Sequence, residues 1–570
     1  MEINPIILKL LNKRGVCDEA DVLEFLSPSP KRTYDPFLMK GMEEAVELIG
    51  KHIERDSSIC IYGDYDTDGV TSVTLMLTAL GKLSDNLTYY IPSRFGEGYG
   101  LNSEAVKKIK AAGTDLIITV DCGSVSYDEV KLAESLGMDV IVTDHHTVTD
   151  KQADCILLNP KQPGCSYPFD GLAGVGVAFK LVQAMTRKNM LPKSVIGEVL
   201  DLVAIGTIGD IVPLVDENRT IAKFGLKEIK KGRRSGLRTL MNAVSIEPGD
   251  INSENIAYVI VPHLNAAGRL EDASVGVKLL LEDTRFSERG LSEGSKGKAC
   301  GKAELAGKLV SCNRERKALQ EDTFKICTQM IETESGSEAA DAILLYAGKA
   351  HEGITGIVAG KLKDKYYRPA IIVTDANEDG SMLKGTGRSI EGINLYDLLK
   401  PSDELFLKFG GHKGACGFTM KAENFDAFRG QIAKRMAELK SADGTILERK
   451  NPAELALELG DVSLELARQL EMLAPFGAAN PSPVFEIDNL KLGSISYMGA
   501  EKNHARFNVM GSGTRCQCVL FGKAHENEDV LREGSLVDIA VAVEENRWNG
   551  SCRLQLNVQE IKESKELIDE

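Results

Sequence analysis

The sequence predicts a multi-domain α/β protein that ends in a small OB-type β-barrel. Three observations predict it. Short apolar runs of four to six residues (SICIYGD, LTYYIPS, DLIITVDCG, DVIVTDHH, CILLNP) alternate with helical patterns such as SEAVKKIKAAG and SYDEVKLAESLG. That alternation implies a parallel sheet covered on both faces. DAILLYAG and RPAIIVTD restart it near residue 341, which implies a second, smaller α/β domain. After APFGAANPSPVFE the chain turns to strand-like runs punctuated by glycine (LKLGSISYMG, HARFNVMG, CQCVLFG, LVDIAVAVEENRW, CRLQLNVQEI), the pattern of a small barrel.

In chain order, residues 1–50 carry apolar residues at helical spacing (DEADVLEFL, MEEAVELIGKHI) and read as a helical lead-in. Residues 51–285 read as the parallel-sheet domain with a helical part, 286–340 as a connecting loop and helix, 341–440 as the second α/β domain and 455–565 as the barrel. The polar insert SERGLSEGSKGKACGKA reads as an exposed loop. No internal repeat is visible.

At 570 residues the chain is too long for one core. Its 43% hydrophobic and 27% charged residues are globular values. The net charge of −16 argues against a broad basic coat, while allowing a local basic channel. The twelve cysteines include no CxxC pair, and Cys60, Cys122, Cys155 and Cys416 sit among small or apolar residues, as reduced structural thiols do. No run approaches the ~20 apolar residues of a membrane span, and MEINPIILKLLNKRG lacks the pattern of a cleaved leader. The expectation is a cytoplasmic protein.

IYGDYDTDGVTS puts Asp64, Asp66 and Asp68 within five residues. Carboxylates this close repel one another unless positive charge is supplied. In an open parallel sheet, ligands bind outside the carboxyl ends of the strands. Asp64 and Asp66 follow ICIYG, Asp121 follows LIITV, and Asp144, His145 and His146 follow VIVT. Asp210 follows the apolar helix DLVAIGTIG. Each alone has a plainer reading: a loop cluster or calcium loop for DxDxDG, a helix cap for Asp121 or Asp210, polar surface for adjacent histidines. The EF-hand pattern fails, because Leu75 stands where it needs Glu. Together, acids at successive strand ends and an imidazole on the same rim could hold two divalent cations about 3.5–4 Å apart, a spacing suited to phosphate-ester hydrolysis.

DYDTDG, VDCG, TDHH and GTIGDIVPL resemble the four signature segments of the DHH phosphoesterase superfamily. Their order, with IPSRFGEGYGL, PHLNAAGRL, HEGITGIVAGKL, GTGRSIEGINL, GGHKGACGF and PFGAANPSPVF, is similar to its RecJ branch of single-strand-specific exonucleases. The resemblance covers nearly the whole chain. It implies a DHH catalytic domain, a DHHA1 domain and a nucleic-acid-binding OB domain. It implies Asp64, Asp66, Asp121, His145 and Asp210 as ligands of two Mn²⁺ or Mg²⁺ ions. Asp144 then supports the site, His146 ligates or contacts the scissile phosphate, and Asp68 holds the loop. The activity implied is 5′→3′ hydrolysis of single-stranded DNA to 5′-mononucleotides in recombination and repair. Single-stranded DNA is the implied partner, with a single-strand-binding protein and a helicase as further ones.

The glycines of GGHKGACG let backbone N–H groups converge on an anion, or simply form a turn. The resemblance places His412 there as a substrate contact. It also implies a 5′-phosphate pocket from Arg94, Thr386 and Arg388, a backbone contact from Arg269, and a substrate contact from His351. Three positions depart from the family pattern: Thr386 stands where serine is more usual, AHEG replaces Trp-His-Pro-Gly, and His263 stands where arginine is common. In the barrel, Tyr497, Phe507, Phe521, Trp548, Arg506, Arg515, Arg547 and Arg553 are equally readable as DNA contacts or as core and surface. KEIKKGRRSGLR is either a phosphate track or a helix end with solvated charges. Two rival readings stand: a phosphodiesterase for short oligonucleotides or cyclic dinucleotides, and an inactive DNA-binding scaffold of a replication assembly. PFGAANPSPVF weighs against the first, and the five retained ligands weigh against the second.

Overall fold

The computed structural model describes residues 3–29, 31–295, 300–335, 340–548 and 551–564. Five parallel strands form the first sheet: β1 (Ile59–Gly63), β2 (Leu87–Tyr90), β3 (Leu116–Val120), β4 (Asp139–Thr143) and β5 (Ile156–Leu158), in the order β2-β1-β3-β4-β5. β1 and β3 are buried throughout, as expected of runs of Ile, Val and Leu covered on both faces. The strand order reverses between β1 and β3, so the crevice of this fold opens at their carboxyl ends. One face packs against helices Thr67–Leu80, Gly174–Arg187 and Ser194–Gly209 in the largest core of the molecule. The other packs against helices Ser103–Ala111 and Tyr127–Ser135.

A long helix, Lys302–Ser335, leads to the second domain. Its sheet is mixed: β6 (Ile343–Tyr346), β7 (Ala370–Asp375), β8 (Met382–Arg388), β9 (Phe406–His412) and β10 (Ala415–Lys421) run in the order β6-β7-β8-β10-β9, with only β6 and β7 parallel. Helices Glu352–Tyr366 and Phe425–Ala442 cover its two faces.

The third sheet contains β11 (Leu455–Ala456), β12 (Phe485–Met498), β13 (His504–Gly511), β14 (Thr514–Leu520), β15 (Leu536–Trp548) and β16 (Ser551–Glu563). β12 pairs with both β13 and β15, so five of the strands close into a barrel. Alternate β13 residues (Ala505, Phe507, Val509) are buried inside it.

The helices of residues 1–50 are divided between two cores. Met42, Ala45, Val46 and Ile49 of helix Met42–Glu54 join the core of the first domain. Ile7, Leu10, Leu11, Val22 and Leu26 of helices Pro5–Lys13 and Glu19–Leu26 instead pack with Leu466, Leu470, Phe485 and Ile539 of the barrel domain. Arg14 fixes the contact with a bidentate pair to Glu454 and a bond of 2.7 Å to Asn480.

The insert expected as an exposed loop is partly packed. Leu291 donates its backbone N–H to the Tyr89 carbonyl at 2.8 Å, and Ser292 and Ser295 are buried; its residues 296–299 lie outside the described part. Among the described residues, no helix is long and apolar enough to cross a membrane.

Candidate metal centre

The site sits at the β1/β3 switch point. Asp64 leaves the end of β1, and Asp66 caps the 67–80 helix, one of its oxygens accepting from the N–H groups of Asp68 (2.9 Å) and Gly69 (3.1 Å). Asp121 follows β3 with φ at 60°, the left-handed region, which turns its carboxyl from the strand direction toward the site. Gly174 permits this approach: a Cβ there would lie 2.5 Å from the Asp121 Cβ. Asp210 ends the apolar 194–209 helix.

These groups converge. Asp64, Asp66 and Asp121 place ligand atoms within 4.8 Å of one another, and so do Asp121, His145 and His146, and Asp68, His145 and Asp210. His145 Nε2 lies 3.3 Å from Asp121 and 3.5 Å from Asp210. Asp121 thus belongs to two of the three clusters. Asp64 Oδ1, Asp121 Oδ1 and both ring nitrogens of His145 are buried without a hydrogen-bond partner. Buried polar atoms rarely stay unpaired. Burial and neighbouring carboxylates push Asp64, Asp121 and Asp210 well above the usual carboxylate range. Burial first, then His146, pushes the His145 imidazole down to about 3, so it is a neutral donor. A set of oxygen donors and one neutral imidazole, crowded and unpaired, fits hard divalent cations.

Two acids play other parts. Asp68 accepts from Gly174 N (2.6 Å) and Val175 N (2.8 Å), so it ties the 67–80 helix to the start of the 174–187 helix. Burial, then Asp66, pushes it up to about 7. Asp144 is saturated: it accepts from the backbone of Ser124, His145 and His146 and from His146 Nδ1 at 2.7 Å. Burial would raise it, but the bond to His146 and the charge there hold it below the usual range. It is a brace for both histidines. Burial would lower His146 as well; Asp144 outweighs that and pushes the imidazole up to about 9, leaving a cation at the mouth of the site.

Sequence reasoning missed four supporting residues. Asn265 accepts from Thr67 N (2.7 Å) and Thr67 Oγ1 (2.8 Å), and Lys161 Nζ donates to the His145 carbonyl at 2.6 Å. Asn159 donates to the His146 carbonyl at 2.9 Å, and the Tyr99 hydroxyl lies 3.0 Å from His146 Nδ1. Tyr99 lies in IPSRFGEGYGL, Asn265 in PHLNAAGRL and Asn159 near the end of CILLNP, within reach of the motif signal; nothing local marks Lys161.

The second domain faces this centre. Arg94 lies 5.2 Å over the Tyr65 ring, beside the acids. Arg269 donates to the Gly353 carbonyl at 2.8 Å, at the start of the 352–366 helix. His351 caps that helix, its Nδ1 accepting from Gly353 N at 3.2 Å. Thr386 and Arg388 end β8 against Gly356, where a Cβ would lie 3.0 Å from Arg388 Nη2 and 3.2 Å from Thr386 Cγ2. Burial, then Arg94, Arg316 and Arg388, pushes Arg269 down. Burial, then Arg388 and His146, lowers His412, which ends β9. Guanidiniums this close, without facing carboxylates in equal number, fit an anionic occupant.

Elsewhere the site expectations divide. Tyr497 and Phe521 are exposed on the barrel and Arg506, Arg515 and Arg553 are exposed too, but Phe507 is core. The side chains of Arg547 and Trp548 lie outside the described part. Arg234, in the basic 227–238 stretch, is no phosphate track: it is buried in a bidentate pair with Asp201.

A parallel sheet gathering acids and a DHH segment at its switch point, faced by a mixed-sheet domain across a basic cleft, defines a two-domain DHH protein. Family models agree: the DHH family N-terminal domain matches residues 58–207, the DHHA1 domain 340–438 and the RecJ OB domain 453–560. The single-stranded-DNA-specific exonuclease RecJ of Bacillus subtilis strain 168 is 38% identical over 98% of this chain and 68% of that protein. That of Escherichia coli K12 is 32% identical over 98% of this chain and 96% of its own. RecJ of Thermus thermophilus in complex with Mn²⁺ superposes with a TM-score of 0.78 and 27% identity, covering 99% of this chain and 79% of that one; its Mg²⁺ complex gives 0.74. The chain belongs to the RecJ family.

Proposed function

We infer that this chain is a metal-dependent exonuclease specific for single-stranded DNA, working 5′→3′ and releasing 5′-mononucleotides. The observation that carries the reading is the cluster of unpaired buried donors at the β1/β3 switch point facing a cleft of arginines. The relatives named as single-stranded-DNA-specific exonucleases support it over nearly the whole chain.

Asp64, Asp66, Asp121, His145 and Asp210 would hold two Mn²⁺ or Mg²⁺ ions. Bound there, the ions supply Lewis-acid charge that acidifies water and offsets the charge developing on the phosphate. The residues of the chain do the rest. Asp144 fixes both histidines, and His146, held by Asp144 at Nδ1, would offer its other ring nitrogen to a phosphate oxygen. Arg94, Thr386 and Arg388 grip the terminal 5′-phosphate, Arg269 and His412 the backbone near the scissile bond, and His351 lines the same cleft. Fixing the terminal phosphate at a set distance from the metal centre would count off one nucleotide per cut. We propose the same division of labour by domain: 51–285 for chemistry, 341–440 for the facing wall, 455–565 for holding the strand. A single-strand-binding protein and a helicase are proposed partners in recombination and repair.

The test uses single strands labelled at the 5′ or 3′ end, with Mn²⁺, for the wild type and Asp121→Ala. Immediate release of 5′-labelled mononucleotide, reduced by about three orders of magnitude in the variant, is expected. Survival of long strands with cleavage of di- to pentanucleotides would overturn the reading in favour of a short-oligonucleotide phosphodiesterase.

A further inference from the structure

The segment Ile91–Gly100 crosses the mouth of the cleft and carries three large side chains whose surroundings differ. Arg94 is half-buried over Tyr65. Tyr99 has its hydroxyl engaged by His146. Phe95, between them, is 43% exposed, although it has no polar atom to justify contact with water. Its one aromatic neighbour among the described residues is His351 of the facing domain, with ring centroids 5.3 Å apart and planes at 81°.

His351 is itself held. Its Nδ1 accepts from Gly353 N, and the next element over is Arg269, bonded to the Gly353 carbonyl. Gly356, one turn on, is where Arg388 packs. Phe95 thus follows Arg94 in the chain and meets His351, which caps the helix that Arg269 bonds and Arg388 packs against. An edge-to-face pair at this distance leaves ring surface open, and a single-stranded end brings two things to such a place: a phosphate and an unpaired base. Arginines answer the first. An exposed aromatic ring answers the second, because every base has a π-face. Adjacent residues in a turn can address both, since their Cα atoms are only about 3.8 Å apart while their side chains diverge.

We propose that Phe95, abutting His351, is a specificity-determining residue that stacks on the base of the 5′-terminal nucleotide while Arg94 holds its phosphate. The proposal rests on the exonuclease reading above. It makes the enzyme sensitive to the presence of a terminal base, and indifferent to which base it is.

The experiment compares two 5′-phosphorylated single strands, one normal and one whose terminal nucleotide carries a tetrahydrofuran in place of the base-bearing sugar. Each is digested with Mn²⁺ by the wild type, Phe95→Ala and Phe95→Trp. The wild type is expected to show a KM about tenfold higher for the abasic end. Phe95→Ala is expected to raise KM for the normal strand by a similar factor and to abolish the difference between strands, with kcat little changed. Phe95→Trp is expected to keep the difference. A ring that merely latched the two domains together would shift both strands alike and leave their ratio intact; that result, or a wild type that does not distinguish the strands, overturns the proposal. A wild type that cuts neither strand overturns the exonuclease reading and this one with it, whereas an active wild type with an unchanged ratio in Phe95→Ala overturns only the stacking.

Discussion

Arg388→Lys separates charge from shape. Lysine keeps the positive charge but loses the planar fork that the proposed grip on a terminal phosphate requires. The expected result is a KM raised about tenfold for 5′-phosphorylated strands, with little change for 5′-hydroxyl strands, read from initial rates on the two substrates. His263 offers a pH test. Its Nδ1 donates to the Val259 carbonyl at 2.6 Å, and its Nε2 accepts from Asn313 at 3.0 Å, so the fold requires the neutral ring. Burial first, then the Lys317 and Arg316 charges, pushes its pKa below 6.5. The unfolded chain then binds the extra proton first, and stability falls as pH drops below 6.5. Replacing His263 by Gln should flatten that fall relative to the wild type in thermal melts between pH 5 and 7. At this scale much of the site was legible. Asp64, Asp121 and His145 each follow an apolar run, and strand ends at a switch point are where ligands bind. The resemblance separated Asp144, the brace, from the ligands; its position after a strand alone did not, because saturation by three backbone N–H groups and an imidazole is a matter of geometry. The roles of Lys161 and Asn159 were not legible, since each acts on a main-chain carbonyl more than ten residues away.

Helix Glu352–Tyr366 sets the width of the proposed phosphate pocket. Gly356 lets it approach β8 closely enough to confine Arg388 and Thr386. A Cβ 3.0 Å from Arg388 Nη2 requires the guanidinium to shift by a few tenths of an ångström. Gly356→Ala should therefore fold, keep its cleavage of 5′-hydroxyl ends, and show a reduced preference for 5′-phosphate; an unchanged preference in that assay would count against the proposed pocket. The glycine sits in HEGITGIVAGKL, where the helical pattern is plain from sequence but the facing strand is not. β8 and this helix meet only after β7 and the turn at residues 376–381 are formed. The same holds for helices Pro5–Lys13 and Glu19–Leu26: their spacing announced helices, while their docking on the barrel depends on residues more than 400 positions away.

Arg219 joins the parts of the molecule. It is 3% exposed and donates to the carbonyls of Phe25, Met472, Leu473 and Ala474, with its guanidinium 3.8 Å from the Phe25 ring centroid. Arg219→Met leaves several carbonyls unpaired at the junction of the first domain, the N-terminal helices and the barrel domain. A loss on the order of 3 kcal/mol is expected, and calorimetry should resolve separate transitions for barrel and catalytic domain. The molecule as a whole is acidic, so its hold on DNA is local. Binding should weaken steeply with salt, and Arg94→Ala should reduce the slope of log affinity against log salt by about one unit. The division into two α/β domains and a barrel was legible because each has its own strand rhythm. Their mutual arrangement was not, because it rests on single side chains such as Arg219 and Arg14.

The union of residues 3–27 with the barrel domain also sets a timetable. Leu10, Leu11 and Leu26 are synthesised more than 400 residues before Leu466, Phe485 and Ile539, with which they share a core. At roughly 5–20 residues per second of synthesis, their apolar faces stay uncovered for on the order of half a minute or more. The catalytic domain can complete itself during that interval, because its core closes by residue 309. The first domain thus gathers its acids while these helices are still unseated, and barrel strands translated hundreds of residues later are what secure them.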